Sequence, residues 1–209
     1  MPDARPSLED FWKRLDMRHV EADLAAMLRD RATREHGSVK RLGDAATVEA
    51  VAARILPGAV PAGALAVFLD DNFDGQLGRA DEGAGRLPRS ELLPVGFAAL
   101  DAASARITTD AVSETVGAFA RLEAADQEAL LAGAERGELP APAGLDATRF
   151  SSSDWFKRVR DLLLLAYGSD PRGMVEMGFP GPSYEPGNLW LDQMEVAQRA
   201  RGAPGASRF

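Results

Sequence analysis

Apolar residues recur at helical spacing along most of this chain. The clearest case is residues 155–167 (WFKRVRDLLLLAY), where apolar side chains follow the i, i+3, i+4, i+7 rule and Leu164 and Leu165 widen the stripe. The polar run 151–154 (SSSD) precedes this segment and supplies an N-cap. The pattern predicts a long helix at the centre of the core.

The same spacing recurs between capping and stopping residues elsewhere, and each recurrence predicts another helix. In chain order, these are one or two amphipathic helices within 8–28 that open with a Ser7/Asp10 capping box, then helices over 44–55, 62–69, 90–106, 123–135 and 188–199. Pro94 fits its helix only if it lies in the first turn. Residues 70–89 and 137–149 are rich in Gly with Asp or Pro, which predicts connectors.

The predicted fold class is all-α, because no segment alternates apolar and polar residues as a strand does. We expect an irregular helical bundle with long Pro/Gly-rich connectors and an extended aromatic/Pro segment near the C-terminus. Residues 1–42 read as a charged amphipathic helical extension, 43–200 as the helical domain and 201–209 as a frayed tail.

Composition excludes several classes of function. The net charge is −8 and no Lys/Arg stripe is present, which argues against a nucleic-acid partner. Cysteine is absent, so thiol catalysis, thiolate metal sites and disulfides are excluded. No run approaches the roughly 20 apolar residues of a membrane span, so we expect no membrane-spanning helix.

Signatures of catalysis are also missing. The sequence has no G-x-S-x-G, H-E-x-x-H, G-x-G-x-x-G or Walker motif. Its only histidines, His19 and His36, lie in the charged N-terminal part, where a surface or capping role is the simpler interpretation. An independent enzyme therefore has no group of residues to support it.

One segment does match a metal-binding template. The calcium-loop pattern D-x-[DN]-x-[DN]-G-x5-E is met, with Asp in place of the final Glu, by Asp70, Asn72, Asp74, Gly75 and Asp81. Short oxygen side chains at alternating positions can surround a hard cation. This predicts a calcium-responsive helical binding module, and the alternative is an Asp/Gly-rich capping turn. The following segment 82–90 is a poor helix, which favours the alternative.

Residues 177–188 (MGFPGPSYEPGN) interrupt the helical pattern with three prolines and two aromatic residues. A loop of this kind cannot bury its own rings and needs a surface to lie on. Two readings stay open at this point: the segment packs on its own bundle, or it is a preorganised binding patch for a protein partner.

An ordered set of motifs resembles the gluconate 2-dehydrogenase subunit 3 family over roughly residues 44–183. The motifs are the helical opening 51–70, the F..L...Q..LL helix, the aromatic-led helix 155–168 and the closing DP...GFPGP, carried by Phe119, Leu122, Asp126, Gln127, Leu130, Leu131, Asp170, Pro171 and 178–182. The order of the set makes it more specific than any one motif.

The resemblance implies a non-catalytic small subunit that binds, stabilises and escorts an FAD-dependent glucose-methanol-choline type oxidoreductase acting on a sugar, sugar acid or glycoside. FAD and the active site are then expected in the large subunit, with no cofactor in this chain, and a cytochrome or another electron acceptor is a further expected partner. The residues expected to contact the partner are Trp155, Phe156, Tyr167, Phe179, Pro180 and Tyr184.

This sequence departs from the family pattern at its start. Family members often bring a twin-arginine export signal, whereas residues 1–42 here are charged and amphipathic. The expectation is a cytoplasmic protein, or a periplasmic one if an export signal lies outside this sequence.

Overall fold

The computed structural model describes residues 7–16, 22–35, 37–73, 87–107 and 117–179. The α-helices in these residues are α1 (Leu8–Asp16), α2 (Ala22–Thr33), α3 (Ala45–Ile55), α4 (Ala62–Asn72), α5 (Arg89–Ser104), α6 (Ala124–Glu135), α7 (Ser152–Ser169) and α8 (Pro171–Glu176), and a 3-10 helix covers Phe119–Arg121. No strand occurs in the ranges given above, and the all-α prediction is confirmed. The predicted helix 188–199 and the tail 201–209 lie outside the described residues.

The predicted caps form as the sequence indicates. Ser7 and Asp10 make the reciprocal capping box, with the Asp10 N–H donating to the Ser7 hydroxyl at 3.1 Å and the Ser7 N–H donating to the Asp10 carboxylate at 3.2 Å. The Asp44 carboxylate accepts the Thr47 N–H at the start of α3, and the Ser151 hydroxyl accepts the Asp154 N–H at the start of α7. Local sequence therefore sets these helix starts.

Three features of the helices differ from the predictions. α2 continues to Thr33, beyond the predicted limit at residue 28, and α4 continues to Asn72, inside the predicted connector 70–89. α8 was not predicted, although Asp170 caps it and Pro171 occupies its first position. Pro94 lies in the second turn of α5, not the first, since that helix begins at Arg89. Pro94 cannot donate a backbone hydrogen bond, which costs free energy. Burial of neighbouring α5 side chains in the core offsets this cost.

α7 lies at the centre of the core and packs against α3, α4, α5, α6 and α8. Its Trp155 side chain is fully buried and meets the Phe97 ring edge-on, with ring centroids 5.3 Å apart. Gly96 is what lets α5 approach the indole, because a Cβ at that position would lie 2.1 Å from Trp155 Cδ1. The contact between α5 and α7 therefore depends on the absence of a side chain at residue 96.

A buried carboxylate of α5 joins that helix to α3 and to the 3-10 helix. Asp101 accepts the Thr47 hydroxyl of α3 at 2.8 Å and the backbone N–H groups of Gly117 and Phe119 at 3.2 and 2.9 Å. These bonds satisfy a carboxylate that is almost completely removed from water. They fix the start of the 3-10 helix against α3 and α5.

The occurrence of Phe119 and Gln127 in one motif also has a structural explanation. Gln127 is buried on α6, and its side-chain amide donates to the Phe119 carbonyl at 3.0 Å. Its carbonyl oxygen accepts the Arg54 Nε–H at 2.7 Å. The glutamine therefore links α6 to the 3-10 helix and to α3.

The Gly96→Ala substitution is expected to destabilise the fold by about 1–3 kcal/mol, because the new methyl group overpacks the Trp155 indole. Gly133→Ala on α6 is the matched control, since a Cβ there has its nearest neighbour, Glu138 Oε2, at 3.5 Å. The control is expected to be neutral or to stabilise α6 by up to about 1 kcal/mol. Chemical denaturation of both variants measures the difference, and equal stabilities would contradict the packing argument.

Candidate partner interface

The outer face of α7 and the end of α8 carry exposed apolar side chains. The fractional exposures are 52% for Leu164, 42% for Leu165, 60% for Met177 and 43% for Phe179. We call these four residues the α7–α8 patch. Gly168 of α7 lies beside Met177. Several exposed apolar side chains on neighbouring elements of a globular domain are typical of an interaction site.

The leucine run on α7 explains why the patch exists. Successive helical residues are 100° apart, so four consecutive leucines cannot all face one side. Leu162 and Leu163 are buried in the core, whereas Leu164 and Leu165 point outward. The expectation that Leu164 and Leu165 widen the buried stripe is therefore wrong, and the length of the leucine run was the signal for an apolar outer face.

The end of α8 holds Met177 and Phe179 beside α7 through a defined backbone turn. Gly178 has a φ of +83°, and its N–H donates to the Val175 carbonyl at 2.9 Å. The Phe179 N–H donates to the Met174 carbonyl at 2.8 Å, which completes a Schellman motif. A Cβ on Gly168 would lie 3.7 Å from Met177 Cε, so Met177 covers the surface of α7 at this glycine.

A polar contact joins α8 to α7 and to the loop after α3. The Tyr167 hydroxyl donates to the Glu176 carboxylate, which also accepts the Ala59 N–H at 2.6 Å. Gly58 leaves room for this contact, because a Cβ there would lie 2.3 Å from the tyrosine hydroxyl. Tyr167 and Glu176 thus fix the last turn of α8, from which the patch residues extend.

The predicted partner-contact residues lie in different surroundings. Trp155 and Tyr167 are buried and offer a partner no surface in this structure, because both pack into the chain's own core. Phe156 is half-buried against that core, and Phe179 is exposed at the patch. Pro180 and Tyr184 lie outside the described residues. Trp155 and Tyr167 follow the helical periodicity of α7. Aromatic residues on the apolar side of a helix usually belong to the core, and these two do.

The predicted calcium ligands are only partly within the described residues. Asp70 lies inside α4 with 3% exposure, and its carboxylate accepts the N–H groups of Lys40, Arg41 and Leu42 at 3.0, 2.7 and 3.0 Å. Asn72 belongs to the same helix and donates its amide to the Phe68 carbonyl. Asp74, Gly75 and Asp81 lie outside the described residues.

Asp70 therefore has a structural role that the loop template did not anticipate. Both of its oxygens hold the backbone of residues 40–42 against α4, and a cation at Asp70 would have to displace these donors. Over the part of the chain that the structure describes, no group of three His, Asp or Glu side chains is arranged to hold a metal ion. The calcium loop remains a prediction.

The comparisons with known proteins give one match. The sequence model of the gluconate 2-dehydrogenase subunit 3 family matches residues 43–181. Comparison with curated proteins and with solved structures found no match. The matched range runs from the start of α3 through the whole α7–α8 patch, and it leaves α1 and α2 outside. None of the described helices is both long enough and apolar enough to cross a bilayer.

Asp70→Ala is expected to lower the free energy of unfolding by roughly 2–4 kcal/mol, because three backbone donors at residues 40–42 lose their acceptor. The loss should be the same in excess calcium and in chelator. Asp71→Ala is the control, since that neighbouring carboxylate is largely exposed. A calcium-dependent rise in the melting temperature of the natural chain that Asp70→Ala abolishes would contradict this account and support the calcium loop.

Proposed function

Since the chain belongs to the gluconate 2-dehydrogenase subunit 3 family, as the match over residues 43–181 shows, we propose that it is the non-catalytic small subunit of an FAD-dependent oxidoreductase of the glucose-methanol-choline type. The family assignment makes it an accessory subunit of a dehydrogenase complex. The proposed substrate of the complex is a sugar, a sugar acid or a glycoside. Its electrons pass to a cytochrome or another acceptor.

The observation that carries this proposal is the α7–α8 patch. A subunit needs a surface that its partner covers, and such surfaces have apolar and aromatic centres. The four exposed side chains of the patch form such a centre, and all four lie inside the range that the family model matches. We propose that the large subunit binds here.

The chemistry is assigned to the partner because the described residues are poorly suited to it. A dinucleotide such as FAD is commonly cradled where a strand turns through glycines into a helix. In the ranges that the structure describes, helices are the only regular secondary structure, and the buried acids Asp70, Asp101 and Asp170 are occupied by hydrogen bonds to backbone and side-chain donors. These residues do not fit a flavin site, so we propose that FAD and the catalytic groups belong to the large subunit.

The proposed mechanism is stabilisation by mass action. A subunit that binds the folded catalytic chain, and not its unfolded form, raises the stability of that chain by about 2.7 kcal/mol at one hundred times the dissociation constant. The residues that follow the patch in sequence include Pro180, Pro182 and Pro186, and proline lowers the entropy lost when a segment is ordered on binding. Tyr184 supplies a further aromatic anchor in this proposal.

Leu164→Asp is expected to weaken co-purification of the flavin-containing large subunit at least about tenfold, because it places a charge at the centre of an apolar interface. The isolated variant should keep its helical content and melting temperature, since Leu164 is 52% exposed. Co-expression of the two chains followed by affinity purification and flavin absorbance measures the effect.

Leu24→Asp is the matched control for this experiment. Leu24 is also a half-exposed leucine on a helix, but it lies on α2, outside the matched range. It should leave the recovery of flavin unchanged. Undiminished flavin recovery with Leu164→Asp would show that the patch is not the binding surface.

The double substitution Phe179→Ala and Tyr184→Ala is expected to reduce assembly as well, because it removes the aromatic side chain of the patch and the further aromatic anchor proposed at Tyr184. The large subunit is titrated with the variant or with the natural chain, and its melting temperature is followed. The difference between the two titrations gives the loss of affinity. If assembly is unchanged, these two aromatic residues do not contribute to binding, even where Leu164→Asp shows that the outer face of α7 does.

A further inference from the structure

α1 and α2 lie outside the range matched by the family, yet they are packed onto it. We call them the amino-terminal helix pair. Phe11 of α1 and Leu28 of α2 are buried together in a small apolar cluster that is separate from the main core. The side chains that complete this cluster from α8 are Met174 and Val175. The helix pair thus covers one face of α8.

Polar contacts connect the same two parts of the chain. The Arg172 guanidinium donates to the carbonyls of Arg31 and Arg34 at 2.9 and 3.0 Å. The Arg31 carbonyl lies in the last turn of α2 and the Arg34 carbonyl just after the helix, where backbone acceptors are not all used by helical hydrogen bonds. In the opposite direction, Arg31 donates to the Ser169 carbonyl at the end of α7, at 3.1 Å. Arg31 therefore ties α2 to the end of α7, and Arg172 ties the C-terminal end of α2 to α8.

The Arg172 side chain is itself held in place by Asp170, the N-cap residue of α8. Its side chain is only 14% exposed and pairs with Asp170, with Nη2 2.8 Å from Oδ2 and Nε 3.0 Å from Oδ1. Asp170 also accepts the Arg172 N–H and so caps α8. A planar guanidinium can satisfy this carboxylate and two carbonyls together, which a lysine ammonium cannot do with the same geometry.

α8 depends on such contacts because it is short. It has six residues, well below the length at which a helix is stable without packing. The Asp170 cap and the Tyr167–Glu176 contact hold its two ends, and the helix pair covers the side formed by Met174 and Val175. The Phe179 N–H is bonded to the Met174 carbonyl, so the position of α8 decides where Phe179 lies.

We propose that the amino-terminal helix pair is a built-in support for the partner interface: it fixes α8, and through α8 it holds Met177 and Phe179 in the position that the large subunit binds. Arg172 is the positioning residue of this support. The second half of the inference rests on the proposed function, because it takes the α7–α8 patch to be the binding surface. The first half, the support of α8 by the helix pair, is independent of the proposed function.

Hydrogen exchange of the full-length chain alone tests the support. Leu28→Asp places a charge in the buried cluster between the helix pair and α8. The amides of residues 174–179 should then exchange at least about tenfold faster, whereas those of residues 159–166 in α7 keep their protection. Leu24→Asp, at a leucine one turn before Leu28 that is 45% exposed, should change neither. Unchanged protection of residues 174–179 in Leu28→Asp would overturn the proposal, and so would equal loss in α7.

Arg172→Lys is the second variant, because it keeps the positive charge and leaves the apolar cluster intact. It should speed exchange of residues 174–179 by a smaller factor, about threefold. Both variants should also weaken binding to the large subunit, since the patch is then less ordered before binding. If exchange increases but binding does not change, the helix pair supports α8 without serving the interface. If Leu164→Asp also leaves binding unchanged, the failure lies in the proposed function.

Discussion

The architecture depends on one close contact, the packing of the Trp155 indole against Gly96 and Phe97. It brings α5 onto α7 and places α7 at the centre of the bundle, so one face of that helix is buried by its neighbours. The opposite face is left to solvent, and there the leucine run has no cover within the described residues. The exposed patch is thus a consequence of how α7 is buried, and it is the feature that best fits a subunit's role.

Buried acids perform a second task, which is to hold irregular backbone. Asp70 binds the N–H groups of residues 40–42, Asp101 binds those of Gly117 and Phe119, and Asp170 begins α8. Each carboxylate is buried and satisfied by donors, so each serves the fold and not catalysis. This arrangement orders backbone between helices and at a helix start, where helical hydrogen bonds are not available.

Local chemistry made part of this structure predictable. Caps at Ser7, Asp44 and Ser151 act within four residues, and α7 has a long apolar stripe, so both could be read from sequence. α8 is too short to show a period, and the acceptor role of Asp70 concerns donors about thirty residues earlier in the chain. The two exposed leucines escaped prediction because a stripe pattern counts apolar residues without fixing its width.

The account joins two parts of one chain: a family domain that presents an apolar patch, and an amino-terminal helix pair packed behind α8. Its central claim is that a flavoprotein covers the patch. The most direct measurement is affinity purification of the tagged, full-length chain from its native source, with mass spectrometry and a visible absorption spectrum of the bound material. The account predicts a second, larger chain and a flavin absorbance band. Recovery of the chain alone, without colour, would contradict it.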